Sequence, residues 1–103
     1  MKRIILSVFF VSIISYRASA DEFGVATYYH NPWHGGLIAA HPRLPMGAHV
    51  RVHNLDNGRK VTVVIVDRGP FARGRIIDVS TVAADVLGMR QAGIARVRLE
   101  LVQ

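Results

Sequence analysis

Short stretches of alternating apolar and polar residues predict most of the strands. Residues 24–29 (GVATYY) predict a first strand, and residues 50–53 (VRVH) alternate as a half-buried strand does. Residues 61–66 (VTVVIV) are almost continuously apolar, which predicts a central strand buried on both faces. Residues 95–101 (ARVRLEL) alternate strictly, so Leu101 and the apolar residues before it are expected in the core, with the charged residues between them in water.

A hairpin turn and one helix complete the pattern. Residues 56–59 (DNGR) place Asn-Gly between two alternating runs, which is the strongest short-range hairpin signal. Ser80 is a good N-cap for a short helix at residues 81–87 that Gly88 ends. The apolar residues expected on one stripe of this helix are Val82, Ala83, Val86 and Leu87. Residues 31–48 hold three prolines and three glycines, which predicts an irregular loop.

Five or six short strands with a single small helix predict an all-β, closed, barrel-like fold. Residues 1–20 are expected to stand outside this fold as a secretory signal peptide. A positively charged start precedes an apolar stretch at residues 4–14, and residues 18–20 (ASA) supply a small-x-small cleavage pattern. The apolar stretch is shorter than the roughly 20 residues that a membrane helix needs. We therefore expect an exported, secreted or periplasmic domain at residues 21–103, with no stable membrane anchor after cleavage.

The cysteine content and the net charge of the chain limit the kinds of partner that we expect. The chain has no cysteine, so no disulfide stabilises it. Its net charge is +6, but Lys2, Arg3 and Arg17 lie in the predicted signal segment, which leaves the domain moderately basic. This charge suits an anionic cell-envelope polymer. The chain has no basic block and no nucleic-acid-binding motif, so we expect no nucleic-acid partner.

Two carboxylates bracket the most informative loop of the chain. Asp67 and Asp78 stand at the ends of a Gly-, Pro- and Arg-rich segment that follows the apolar strand and precedes the helix. Loops held by a rigid scaffold often carry chemistry, and two acids around a cationic turn fit a site for a neutral polymer. The structural alternative is that Asp67 closes a turn and Asp78 caps the helix. The local pattern leaves both interpretations open.

A family resemblance covers almost all of residues 21–103. The chain resembles the rare lipoprotein A (RlpA)-like domain, a six-stranded double-psi β-barrel found in septal-ring lytic transglycosylases, and more distantly the expansins. The matching segments are ATYY at 26–29, WHG at 33–35, LIAAH at 37–41, LPMG at 44–47, VRV at 50–52, NLDNGR at 54–59, VDRGPF at 66–71, GRIIDVS at 74–80 and residues 84–88.

The resemblance implies cleavage or binding of peptidoglycan glycan strands. It also implies that His41 and Asp67 belong to an active groove and that Asp78 is needed for activity. The chain departs from the family between Gly36 and Leu37, where the family has a Thr-Ala-x-Gly-Glu segment. No acidic residue occurs between Glu22 and Asp56, so the family's glutamate is absent.

One carboxyl group is sufficient for a lytic transglycosylase. Hydrolysis of a glycosidic bond usually takes two carboxyls. In the lytic reaction a hydroxyl of the muramyl sugar attacks instead, so a single group can act first as acid and then as base. Asp78 is the candidate, because Ile76, Ile77 and a nearby second carboxylate favour its neutral form. Asp67 would stay ionised, and pairing of Arg68 or Arg75 with Asp78 would oppose this assignment.

Four further residues are candidates for substrate binding. Tyr28, Tyr29 and Trp33 offer amphipathic faces for sugar rings. Since adjacent strand residues face opposite ways, only one of the two tyrosines can face the groove, and we expect Tyr29 there. Arg68 is the fourth. We expect no cofactor and no metal, because no cysteine or histidine–carboxylate cluster completes a metal site.

Two functions from different classes follow. The first is an exported peptidoglycan lytic transglycosylase that leaves anhydro-muramyl ends, with Asp78, Asp67 and His41 as catalytic residues. The second is a non-catalytic wall-binding or wall-loosening barrel, which the absent glutamate favours. A barrel of the plant-defence inhibitor type is disfavoured by the absence of cysteine. The expected partner is the glycan strand, bound by a monomer.

Overall fold

The computed structural model describes residues 21–102, and the predicted signal segment at 1–20 lies outside the described residues. Six strands and one helix form the fold. Their bounds are β1 Glu22–Tyr29, β2 Ile38–Ala40, β3 His49–Asn54, β4 Lys60–Asp67, β5 Arg75–Ser80, α1 Thr81–Val86 and β6 Ala95–Leu101.

The six strands close into a barrel in the order β1-β5-β2-β4-β3-β6. The pairs β1–β5 and β2–β4 are parallel, and the other four neighbouring pairs are antiparallel. This architecture confirms the predicted all-β, six-stranded double-psi β-barrel with one short helix. Closure leaves no free sheet edge in the barrel wall.

Alternate residues of each long strand fill the barrel. In β4, Val61, Val63 and Ile65 are buried, whereas the residues between them are half-buried. The prediction that this strand is buried on both faces is therefore wrong, because the outer face of a single barrel wall is only partly covered. The predicted burial of Leu101 is also wrong. This residue is 46% exposed at the last position of β6, where the barrel ends.

The stretch at 31–48, predicted as irregular loop, contains the three-residue strand β2. All three of its residues are buried, so no apolar–polar alternation marks it in the sequence. Its position is set instead by pairing with β4 on one side and β5 on the other. β2 is therefore the strand that brings the ends of β4 and β5 together.

The short helix begins as predicted, but a different stripe of it packs on the barrel. The Ser80 hydroxyl accepts a hydrogen bond from the backbone N–H of Ala83 at 3.2 Å, which makes Ser80 the N-cap. Val82 and Val86 are 48% and 44% exposed, whereas Ala83, Ala84 and Leu87 are fully buried. The small alanine side chains allow the closer approach to the sheet, so they face inward.

The predicted β3–β4 hairpin is confirmed. Gly58 adopts a positive φ of 80°, as a tight turn of this kind requires. Asn54, at the end of β3, is buried and donates its side-chain N–H to the carbonyl of Leu87 at 2.8 Å. Within residues 21–102 no helix has the length and apolar character needed to cross a membrane.

Candidate active site

Asp67 and Asp78 lie on either side of one residue of β2. Asp67 faces Ala40 in the β2–β4 pair, and Asp78 faces Ala40 in the β2–β5 pair. Ala39 and Val79, the neighbouring register pair, are fully buried, so the row that contains the two acids lies on the outer face. Two strand spacings separate the Cα atoms of the acids, or roughly 10 Å. The fold thus brings both predicted carboxylates to one surface.

Asp78 lies in a strand, and its carboxylate accepts one hydrogen bond, from the hydroxyl of Thr27. It is half-buried in β5, opposite Thr27 of β1, and Thr27 Oγ1 donates to Asp78 Oδ1 at 2.6 Å. The second oxygen, Oδ2, accepts no hydrogen bond from residues 21–102. The alternative that Asp78 caps the helix is therefore excluded, since Ser80 is the N-cap.

Asp67 receives two hydrogen bonds on the same oxygen. Tyr29 Oη donates to Asp67 Oδ2 at 3.0 Å, and Asn31 Nδ2 approaches this oxygen at 3.3 Å. Asn31 Nδ2 also lies 3.1 Å from Tyr29 Oη, so the phenol oxygen accepts from the amide while it donates to the acid. This arrangement fixes the orientation of the Asp67 carboxylate from the β1 side.

The pKa of Tyr29 is influenced by both Asp67 and Asp78. Burial raises the pKa of the Tyr29 hydroxyl above its ordinary value of 10.0, and the hydrogen bond from Asn31 offsets part of that increase. The hydrogen bond to Asp67 and the negative charges of Asp67 and Asp78 raise the pKa further. Tyr29 is therefore a neutral hydrogen-bond donor at neutral pH, and it lies within the electrostatic influence of both carboxylates.

Arg68 binds backbone carbonyls rather than an acid. Its Nη1 donates to the carbonyl oxygen of His41 at 3.1 Å and to that of Leu44. In the described part of the chain, neither Asp67 nor Asp78 has an Arg, Lys or His nitrogen within salt-bridge distance. Asp78 pairs with neither Arg68 nor Arg75 among residues 21–102, and Arg68 binds the loop carbonyls instead.

His41 is buried and does not face the groove. Its ring is 1% exposed, with Nε2 2.8 Å from Glu22 Oε1 and with Nδ1 accepting the backbone N–H groups of Arg43 and Leu44. Because Nδ1 is an acceptor, the ring hydrogen is on Nε2 and is donated to Glu22. Direct contact of this ring with a substrate, as the catalytic assignment requires, is not compatible with such burial. The backbone N–H of His41 donates to the carbonyl of Asp67 at 3.0 Å, so the residue positions the acid.

The three aromatic residues predicted to bind substrate are placed differently. Tyr29 contacts Asp67, as described above. Tyr28 points to the other face of β1, donates its hydroxyl to the carbonyl of Arg90 at 3.0 Å and lies 5.4 Å under the Arg90 guanidinium. Trp33 is 86% exposed, and its backbone N–H donates to Asn31 Oδ1 at 2.7 Å. Tyr28 is thus separated from the acids, whereas Trp33 is hydrogen-bonded to Asn31, which contacts Asp67.

Three residues of this region were missed by the sequence analysis. Thr27 has a weak signal, since it alternates with Tyr29 on β1 and so faces the same way. Asn31 and Glu22 have none, because only the folded barrel brings them to Asp67 and His41. Within residues 21–102 no group of three or more potential metal ligands is found.

Comparison with known proteins identifies the family of this chain. A family model described as "Lytic transglycolase" matches residues 34–99. The probable endolytic peptidoglycan transglycosylase RlpA of Nostoc sp. is 60% identical over 65 residues, which cover 63% of this chain and 18% of the relative. The endolytic peptidoglycan transglycosylase RlpA of Pasteurella multocida is 46% identical over 92 residues, which cover 78% of this chain and 31% of the relative. This chain therefore spans less than a third of the length of either relative.

A solved structure shows the same fold. A mutant expansin from Clavibacter michiganensis, in complex with cellohexaose, superposes with a TM-score of 0.68 at 19% identity. The match covers 82% of this chain and 51% of the expansin chain. At that identity the likeness concerns the barrel alone. The family match, the identity to the two RlpA relatives and the six-stranded barrel show that this chain belongs to the lytic transglycolase family and carries its RlpA-like double-psi β-barrel.

Proposed function

We propose that this protein cleaves the glycan strands of peptidoglycan by lytic transglycosylation. The observation that carries the proposal is the pair Asp67 and Asp78, which lie on one outer face of the barrel on either side of Ala40. Neither acid pairs with a cation among residues 21–102, so both are available for acid–base and electrostatic work. The names of the RlpA relatives support the reaction class, and the positions of the two acids support their assignment as the reacting groups.

In the proposed reaction, Asp78 acts as acid and then as base. Its Oδ2 donates a proton to the oxygen of the bond between a muramyl C1 and the next sugar, and the C1–O bond breaks. The C6 hydroxyl of the same muramyl residue then attacks C1, and its proton returns to Asp78. The products are a 1,6-anhydro-muramyl end and a new hydroxyl on the leaving sugar, and no water is consumed. Thr27 holds Oδ1 and so leaves Oδ2 directed to the substrate.

Asp67 supplies charge rather than a proton in this proposal. Positive charge develops on the sugar ring as the C1–O bond breaks. A fixed anion near that charge lowers the energy of the transition state, because its orientation is set before the reaction. Tyr29 and Asn31 provide this orientation through their hydrogen bonds to Oδ2. His41 acts through the backbone of Asp67 rather than on the substrate.

The expected setting is the cell envelope, where a monomer of this domain would meet its substrate. The RlpA relatives are named for action on peptidoglycan, and the expansin neighbour was solved with a glucan, cellohexaose. Binding of the wall without cleavage, favoured by the absent family glutamate, is the competing function. Two half-buried acids on one outer face, with no cationic partner among residues 21–102, favour cleavage instead.

Digestion of purified glycan strands tests the proposal. The full chain is incubated with strands freed of stem peptides, and the products are analysed by mass spectrometry. Lytic cleavage gives anhydro-muramyl ends, whereas hydrolysis gives reducing ends that are heavier by one water. Anhydro ends that accumulate with time support the proposal. Reducing ends, or intact strands together with retention of the protein on sacculi, would replace it with hydrolysis or with wall binding.

A further inference from the structure

A small cavity lies beside the two acids and has no part in the mechanism above. Its volume is about 150 Å³. The loop at residues 30–36 forms one wall and Ser80, Thr81 and Val82 form the other. Asn31 belongs both to this cavity and to the acid site, since its amide contacts Asp67 Oδ2.

The position of the cavity is fixed relative to the acids. Ser80 lies two residues beyond Asp78 on β5, a step of about 7 Å, and its register partner on β1 is Tyr29. The Ser80 hydroxyl donates to the carbonyl of Gly36 at 2.7 Å, which ties the loop to the barrel. A sugar bound at Asp78 therefore has a substituent-sized space within reach of its ring.

The chemistry of the cavity suits a small group with an apolar end and a polar end. A cavity of about 150 Å³ can hold a molecule the size of benzene, which exceeds the size of an acetamido group. The Val82 side chain offers an apolar contact. The Thr81 hydroxyl and the His34 ring form no side-chain hydrogen bond with any described residue, so they remain available to an amide N–H and C=O.

We propose that this cavity, between the loop at residues 30–36 and the start of α1, is the place where the 2-acetamido group of the bound sugar is recognised. The inference rests on the proposed function, because it places a glycan strand across Asp78. It goes further by naming the substituent that is recognised. Cellohexaose, the ligand of the expansin neighbour, has a hydroxyl at the same sugar position and would leave the cavity without its ligand.

Three matched tetrasaccharides test this inference directly. They share a β-1,4-linked backbone and differ only at C2, which carries an acetamido, an amino or a hydroxyl group. Their affinities for the full chain are measured by isothermal titration calorimetry. Burial of one methyl group and formation of one hydrogen bond predict that the N-acetylated form binds about tenfold more tightly than the hydroxyl form. The amino form shows separately how much a positive charge at C2 gains from the two acids. Equal affinities, or no binding of any of the three, would overturn the inference.

Substitutions that fill the cavity provide the matched variants. A Cβ added at Gly35, which lines the cavity, would meet no atom within 4 Å, and Gly35 has no positive φ, so Gly35→Leu adds volume at the cavity wall without backbone strain. Val82 is 48% exposed, and Val82→Trp fills the space from the helix side. Both variants should reduce the tenfold preference to less than about twofold, whereas Gly35→Ala should retain it. A preference that survives in both filled variants, each confirmed as folded by circular dichroism, contradicts the proposed site.

The glycan-strand digestion separates this inference from the function on which it rests. Anhydro ends formed by a protein without any acetamido preference would refute the specificity cavity alone. An acetamido preference without any cleavage would refute the transglycosylase and leave the binding site in place.

Discussion

The Thr27 hydroxyl donates a 2.6 Å hydrogen bond to Asp78 Oδ1, and the two residues are register partners across the parallel strands β1 and β5. A strand–strand pairing therefore sets the orientation of the carboxyl group that we assign as the proton donor. The other oxygen, Oδ2, has no hydrogen-bond partner in the described part of the chain. Thr27 thus selects which oxygen of Asp78 meets the substrate.

Thr27→Val tests this orientation. Valine has nearly the same shape but no hydroxyl, so the carboxyl is free to rotate. We expect kcat for glycan cleavage to fall about tenfold with little change in KM, because misalignment affects the reacting geometry more than binding. Thr27→Ser, which keeps the hydroxyl, should retain most of the rate. Equal losses in the two variants would mean that the hydrogen bond is not the cause.

Tyr29 should lose its proton at a higher pH than an ordinary tyrosine does. Its pKa is raised chiefly by burial, with contributions from Asp67 and Asp78. Ultraviolet absorbance of the phenolate should show one component above pH 10 that Tyr29→Phe removes. The pKa of Tyr29 is higher in the folded than in the unfolded protein. The contribution of neutral Tyr29 to folding stability is therefore present below about pH 10 and is lost as pH rises through the folded pKa. The wild type should therefore lose stability more steeply than Tyr29→Phe above pH 10, and parallel curves would contradict this.

His41 should contribute to stability through its buried ring. His41→Ala removes the hydrogen-bond partner of Glu22 Oε1 and of the N–H groups of Arg43 and Leu44, which is expected to lower the free energy of unfolding by about 3 kcal/mol. Urea unfolding measures this change. His49→Ala, at an exposed position, should change it by less than about 0.5 kcal/mol. A His41→Ala protein of unchanged stability without activity would instead point to a direct catalytic role.

Trp33 should bind glycan without contributing to stability. It is 86% exposed and is the only tryptophan of the chain, so its fluorescence reports directly on ligand binding. Trp33→Ala should weaken glycan binding about tenfold, as expected for loss of one aromatic face, with an unchanged unfolding transition. Phe23→Ala is the matched control, because Phe23 is 64% exposed and lines a separate surface depression with Leu55 and Arg96. Equal effects of the two variants would contradict a specific role for Trp33.

The fold could be predicted from the sequence because most of its strands carry an alternating pattern. β3, β6 and the turn at Gly58 follow local rules, and the resemblance supplied the barrel. β2 could not be found in this way, since its three residues are all buried and show no period. That omission matters for function, because Ala40 of β2 is the residue that both acids flank.

The candidate site was predicted in part. Asp67, Asp78 and Tyr29 are brought together, but the packing around them could not be read from the sequence. His41 turns inward because Glu22, from the start of β1, provides a carboxylate for its ring. Arg68 turns away from Asp78 because backbone carbonyls accept its hydrogen bonds. Both outcomes depend on partners that are distant in the sequence.

The most direct test compares Asp78→Asn with the wild type in glycan-strand digestion. Asn keeps the shape and can still accept from Thr27, but it cannot donate and recover a proton. We expect the rate at which anhydro-muramyl ends form to fall at least about a hundredfold. Asp85→Asn, which changes an exposed carboxyl on α1, should retain the wild-type rate. A rate for Asp78→Asn equal to that of Asp85→Asn would contradict the assignment of Asp78 as the catalytic acid.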